Sequence, residues 1–323
     1  METSRMLRAL PVVLFASATL SFSQTMGTQT APGSQQRSQH EMAQPGTVNY
    51  VEGQVSLNNQ SLNAQQGASV MIQPGSTLAT GNGFVEVLLT PGAYLRMGPN
   101  SEMRLENAGL ANSQIQLDRG VADVEVDQLI NGTHLTFAIA STNVQIEKKG
   151  LYDFNADSQS VRVLDGKVKV VLANGSKSIG KGDQLLLASE KPLKSKGFDW
   201  KAEKAQPLYV WSEARSRDEA QANIAIAQNV ANYGGWYGAG WYWDPYWSLY
   251  AYLPGDGFLY SPFGLGFYSP GFIGYYGLPF GYGRYGRYGA WHGRVGGMNA
   301  RVGGGFHSFA GGGGFHGGGG GRR

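Results

Sequence analysis

The stretch LATGNGFVEVLLTPGAYLRMGPNSEMRL, residues 78–105, decides the fold. Apolar side chains recur at every second position in Val85, Val87 and Leu89, again across residues 94–97, and again in Met103 and Leu105. A period of two buries one face of a strand and wets the other. Thr80-Gly81-Asn82-Gly83 and Pro91-Gly92 read as turns between these runs, because glycine supplies the positive φ that tight turns demand.

The same alternation extends outward in both directions. It appears in Val48 and Tyr50, in Ile115 and Leu117, in Val121, Val124 and Val126, and in Leu135, Phe137 and Ile139. It resumes in Val144 and Ile146, Tyr152 and Phe154, Val161 and Val163, Val168 and Val170, and in residues 185–187. Glu52-Gly53, Arg119-Gly120, Asn131-Gly132, Asp165-Gly166, Asn174-Gly175 and the 180–183 segment GKGD punctuate the runs. About a dozen short strands without helical periods between them predict an all-β domain over residues 46–190, a sandwich or a roll.

These segments also carry a family resemblance. VNYVEGQVSLN (48–58), the 78–105 stretch, LDRGVADVEV (117–126), HLTFAIASTNVQIEKKGLYDF (134–154), VRVLDGKVKVV (161–171) and IGKGDQLLL (179–187) follow, in order, the pattern of the FecR domain. The resemblance implies a bacterial, extracytoplasmic β-domain of stacked antiparallel meanders. FecR-type regulators couple such a domain to a cytoplasmic sigma-factor-binding region through one membrane span, whereas this chain is expected to carry an export signal in that place. It also resembles secreted FecR-domain proteins with a WYWDP-type aromatic tail.

Around the β-domain the composition changes sharply. Arg5 and Arg8 precede an apolar run of about 13 residues, 10–22, too short for the ~20 that span a bilayer. Residues 1–23 are therefore expected to be a signal peptide, cut after Ser23 or after Ala18. Residues 24–45 are Gln, Ser and Thr-rich and read as a disordered linker. A lysine-rich linker at 191–206 leads to a helix over 207–232 that contains no glycine and only one proline, Pro207, at its start. Its apolar stripe is thin, with Trp211, Ile224 and Val230 as the candidates for docking. Residues 233–323 hold 30 of the 49 glycines and 26 of the 38 aromatic residues, and read as a disordered, adhesive low-complexity tail. Whether its 233–290 part packs on the β-domain is open at this level.

The chain offers little chemistry. With no cysteine it has no disulfide, thiolate metal site or lipoprotein anchor. A net charge of +3 is too small to imply a nucleic-acid partner. Asp153, Asn155 and Asp157 mimic the start of a calcium loop, but Ser158 and Leu164 stand where glycine and glutamate are needed. None of the five histidines, 40, 134, 292, 307 and 316, forms a zinc-type pair. Asp123, Glu125 and Asp127 alternate with Val124 and Val126, which places them on the wet face of one strand. No catalytic residue, metal site or cofactor is assigned.

The expected function is a non-catalytic binding or scaffolding module of the cell envelope, exported and without a membrane span of its own. The expected contact residues are Trp236, Tyr237, Trp241, Tyr242, Trp243, Tyr246 and Trp247, and the expected partner an envelope protein or glycan. The alternative is a periplasmic sensor that works with a separate transmembrane regulator.

Overall fold

The computed structural model describes residues 42–63, 67–172, 175–187 and 194–277. These belong to one compact unit that ends at Gly277. The signal-peptide region and residues 278–323 lie outside the described residues.

Fifteen strands make one sheet. They are β1 (Val48–Leu57), β2 (Gln60–Leu62), β3 (Thr77–Leu88), β4 (Ala93–Met97), β5 (Glu102–Ala108), β6 (Asn112–Arg119), β7 (Val121–Val126) and β8 (His134–Ile139). β9 (Thr142–Ile146), β10 (Gly150–Asn155), β11 (Ser160–Asp165), β12 (Lys167–Leu172), β13 (Gly175–Gly180), β14 (Asp183–Leu186) and β15 (Lys196–Gly197) complete it. The spatial order is β13-β12-β9-β8-β6-β5-β3-β4-β7-β10-β11-β14-β15, with β1 and β2 attached beside β3. All pairs are antiparallel except β6 with β8, a departure from the pure meander expected. Phe137 of β8 stacks on Phe154 of β10 at 4.5 Å although these strands are not neighbours, so the sheet curls back on itself. Its alternate apolar residues, from Val48 to Leu185, meet in one core, as the period of two requires.

Two of the expected turns are not turns. β1 runs straight through Gly53 and β3 through Gly81 and Gly83. Gly53 pairs with Gly83 at a register shift, and a Cβ on Gly83 would lie 2.5 Å from the Glu52 carbonyl. The glycines there let two strands approach at a bulge. By contrast Asp165-Gly166 is a true turn, with Gly166 at φ +93 packed against the Tyr152 hydroxyl.

After the sheet come α1 (Trp200–Lys204), capped by the Asp199 carboxylate, and α2 (Pro207–Tyr233). β15 and α1 thus structure part of the region expected to be a plain linker. The aromatic region up to Gly277 is also folded. It contains the hairpin β16 (Gly240–Asp244) and β17 (Leu249–Leu253), the hairpin β18 (Phe258–Tyr260) and β19 (Gly266–Tyr268), and α3 (Pro270–Tyr276). The packing of the 233–290 part, which the sequence left open, is thus seen as far as Gly277, and the disordered reading of the tail does not hold for residues 240–277.

β17 explains why. Its sequence LYAYL alternates, and both faces are covered. Leu249, Ala251 and Leu253 pack on Ala222, Ile226 and Val230 of α2. Tyr250 and Tyr252 join Trp241, Phe267, Leu88 and Tyr94 in a second aromatic core on the outer face of the sheet. Trp241 meets Tyr94 edge-on at 4.6 Å and Tyr252 at 5.4 Å. Two buried asparagines fasten the layer. Asn49 Nδ2 donates to the Tyr250 carbonyl at 3.0 Å and its Oδ1 accepts the Tyr250 N–H at 2.7 Å. Asn223 does the same to Tyr268, at 3.1 and 2.8 Å, and also donates to the Tyr252 carbonyl.

Replacing Trp241 by Ala empties the centre of this second core. The expected cost is about 3–5 kcal/mol of unfolding free energy, measured by urea denaturation. A loss below about 1 kcal/mol would mean that residues 234–277 contribute nothing to the cooperative fold.

Candidate functional site

The wet face predicted for β7 is not wet. Asp123, Glu125 and Asp127 are all buried, which corrects the sequence reading. The alternation itself holds, since Val124 and Val126 enter the main core. The opposite face is covered by α2, whose buried stripe is polar: Ser212, Arg215, Ser216, Glu219 and Asn223. A polar helix stripe matched to a polar sheet face is invisible to an argument that counts only apolar residues.

Strand register places the charges in a row. Glu86 of β3 lies opposite Arg96 of β4, Arg96 opposite Asp123 of β7, Asp123 opposite Asp153 of β10, and Asp153 opposite Arg162 of β11. Arg96 is fully buried and engages three carboxylates at once: Glu86 through Nε at 2.7 Å, Glu125 through Nη1, and Glu219 of α2 through Nη2 at 2.8 Å. Arg215 of α2 returns the contact, donating to Glu86 at 3.1 Å while lying 4.0 Å over the Tyr50 ring. Ser212 donates to Asp123 at 2.8 Å and Ser216 to Glu125 at 2.7 Å.

Burial alone would raise every acid in this cluster, and the local charges decide the outcome. The guanidiniums of Arg215 and Arg96 outweigh burial at Glu86 and hold it well below the usual carboxylate range. Burial and the Glu86 charge push Glu219 well up. Burial and the charge of Asp153 do the same to Asp123. Asp153 is pushed up to about 7 by burial and by Glu203, against the pull of Arg162. The arrangement makes a clasp between sheet and helix. The Glu86, Glu125 and Glu219 carboxylates are sealed between the sheet and α2.

The expected contact residues divide into two groups. Trp241 and Tyr242 are fully buried and cannot meet a partner, a correction to their proposed role; Trp243 is half-buried against Tyr250 at 5.1 Å. Trp236, Tyr237, Tyr246 and Trp247 are 39%, 71%, 77% and 37% exposed. At the tip of the β16–β17 hairpin the Asp244 carboxylate accepts the N–H groups of Tyr246 and Trp247, at 2.8 and 2.9 Å. Those two rings meet edge to face at 5.6 Å. The Tyr242 hydroxyl accepts the Tyr237 N–H at 2.9 Å and donates to the Gly238 carbonyl, which fixes the segment leading into β16. The buried aromatics anchor the hairpin and the exposed ones ride on it.

The calcium-like segment is occupied by structural work. Asp153 binds Arg162 at 2.8 Å, Asn155 accepts the Ser158 N–H, and Asp157 accepts the Gly120 N–H. His134 is exposed at the start of β8. No helix among the described residues is long and apolar enough to cross a membrane.

Residues 76–176 match the model of the FecR protein family. The chain contains a FecR domain. Two crystal structures described as a candidate anti-sigma factor from Parabacteroides distasonis ATCC 8503, at 2.50 and 1.65 Å resolution, are similar to it. Identity is 17% and 16%, over 40% and 42% of this chain and 62% and 64% of theirs, with a TM-score of 0.34 for each. The chain thus spans less than two-thirds of the length of those proteins. No curated protein matches it. The match covers Glu86, Arg96, Asp123, Glu125, Asp153 and Arg162, so the sheet half of the clasp belongs to the FecR domain. The helix half, with Arg215, Ser216 and Glu219, lies outside it.

Asp153 gives this charge row a pH signature. Its carboxyl would titrate near 3.9 in the unfolded chain and titrates at about 7 in the fold. The folded state therefore binds more protons between about pH 4 and 7, and stability falls as pH rises through that window. Asp153→Asn should flatten this part of the profile, measured by urea unfolding at half-unit pH steps. Identical slopes for the variant and the parent would contradict the assignment.

Proposed function

We propose that this chain is a non-catalytic binding and scaffolding module of the bacterial cell envelope, exported by its N-terminal segment. The observation that carries the reading is the β16–β17 hairpin. Trp241, Tyr242, Tyr250 and Tyr252 anchor it in the aromatic core, while Trp236, Tyr237, Tyr246 and Trp247 stand exposed on a rigid frame. Exposed aromatic rings held rigidly lose little entropy on contact and are favoured at binding surfaces. The partner is an envelope protein or glycan. A non-catalytic role is supported by the sealed position of the buried carboxylates.

A second reading is favoured by the FecR match: a periplasmic sensor that passes its signal to a separate transmembrane regulator. The two readings predict different captured partners.

Co-sedimentation with isolated envelope fragments tests the first. Tyr246→Ser combined with Trp247→Ser should weaken association about tenfold, a change of about 1.4 kcal/mol, without lowering the melting temperature. Unchanged association would overturn the hairpin assignment. Cross-linking that recovers a transmembrane regulator, with association unaffected by the double variant, would select the sensor.

A further inference from the structure

The strap that joins the sheet to α2, residues 194–206, is fastened by one buried acid. β15 pairs with β14 only at Asp183 with Gly197 and Gln184 with Lys196, and the short helix α1 follows. From 194 to 206 the only buried residue is Glu203. The other side chains of the strap largely hold one another: Phe198 meets Trp200 at 4.9 Å, Lys204 lies 5.9 Å over the Trp200 ring, and Asp199 caps α1. Trp200 is half-buried and borders a hollow of about 320 Å³ shared with Leu151, Leu164 and Tyr209. A carboxylate thus stands where a helix is ordinarily anchored by an apolar residue.

Glu203 reaches Arg162 of β11 at 3.3 Å, through the same Nη1 that donates to Asp153 of β10 at 2.8 Å. One guanidinium nitrogen therefore serves two carboxylates, whose side chains are only 8% and 7% exposed. Asp123 of β7 lies opposite Asp153 in the register and adds a third acid. From α2 come Ser212, which donates to Asp123, and the half-buried Tyr209. From β14 comes the uncharged Gln184, opposite Arg162. Arg96 of β4, opposite Asp123, is taken up by Glu86, Glu125 and Glu219. The balance of the group falls to Arg162.

Burial and neighbouring charges set the order in which the acids ionise. Burial and the Asp153 charge push Asp123 well up, so it keeps its proton at neutral pH. Burial and Glu203 push Asp153 up to about 7, against the pull of Arg162. Burial raises Glu203 as well, and Arg162 opposes it. While Asp153 is neutral, Arg162 and Glu203 make a balanced pair. Once Asp153 ionises, two buried carboxylates compete for one cation, and a buried charge without its partner is costly. Asp153 and Arg162 are locked in register on adjacent strands, whereas Glu203 rides on a five-residue helix. Glu203 is the member that can leave.

We propose that Asp153, Arg162 and Glu203 form a pH-operated latch, which holds the 194–206 strap on the FecR sheet in acid and releases it as the surroundings turn alkaline. Protonated Asp153 favours the closed form, so closure is strongest in acid and weakens as pH rises to about 7. The latch joins Asp153 and Arg162 of the FecR match to a residue beyond it. It stands on the strap and not on the hairpin aromatics.

Hydrogen exchange of the full exported chain, read by mass spectrometry at pH 5.5 and pH 8 and corrected for the pH dependence of the intrinsic chemistry, tests this. The N–H groups of Glu203, Ala205 and Gln206, bonded within the strap, are the reporters. Their protection should fall about tenfold or more from pH 5.5 to pH 8, the change that linkage to one such carboxyl gives, while β10 and β11 keep theirs. Asp153→Asn should make strap protection nearly level across this range. Glu203→Gln removes the other competing charge from a surface segment and should level it too, so the test survives if Asp153→Asn fails to fold. Equal strap protection at both pH values in the parent, a parent-like fall in either variant, or a fall shared by β10 and β11 would each overturn the latch.

Discussion

The whole molecule depends on satisfying one buried guanidinium. Arg96 sits in the middle of the sheet with no exposure to water, and an ion of that kind costs several kcal/mol to desolvate unless each of its donors is met. Glu86 and Glu125 come from strands on either side, and Glu219 comes from a helix 123 residues further along the chain. The sheet cannot complete that set by itself. Helix α2 therefore has a fixed place and a fixed rotation, and the hairpins laid against α2 inherit both. Once α2 is docked, Asn49, which also donates to Glu86, bonds β17, Asn223 bonds β17 and β19, and the aromatic layer follows.

Much of the sheet was legible because its physics is local. A strand buried on one face must alternate, and the runs at 85–89, 115–117, 135–139 and 161–170 do so in the order in which the strands appear. The failure at Asp123, Glu125 and Asp127 was of another kind. Alternation tells which residues share a face, and it says nothing of what covers that face. A signal was present: α2 carries Ser212, Arg215, Ser216 and Glu219 at helical spacing, the pattern of a helix that docks by polar groups. Its thin apolar stripe was a property of the surface it meets.

The aromatic region misled for a related reason. Glycine and proline do break regular elements, and composition alone therefore reads as low complexity. LYAYL nevertheless contains the period of two, and in it both faces are apolar. Such a strand is buried on both sides, between sheet and helix, and its tyrosines become core. Trp236, Tyr237, Tyr246 and Trp247, before β16 and at the hairpin tip, stay on the surface, as do Phe258 and Tyr260 on one face of β18. The expected contact set was therefore partly core and partly surface, and burial separates them.

The central claim is that Arg96 couples the FecR sheet to α2, and a double-mutant cycle between Arg96 and Glu219 measures this coupling directly. Unfolding free energies of the parent, Arg96→Met, Glu219→Gln and the double variant, taken by urea denaturation at pH 7, give the interaction term. The account predicts that each single change destabilises, that Arg96→Met costs about 3–5 kcal/mol, and that the two losses fail to add by about 1 kcal/mol or more. Strict additivity, with two separate unfolding transitions for sheet and helix, would show that α2 merely rests on the domain and that the clasp does not hold the fold together.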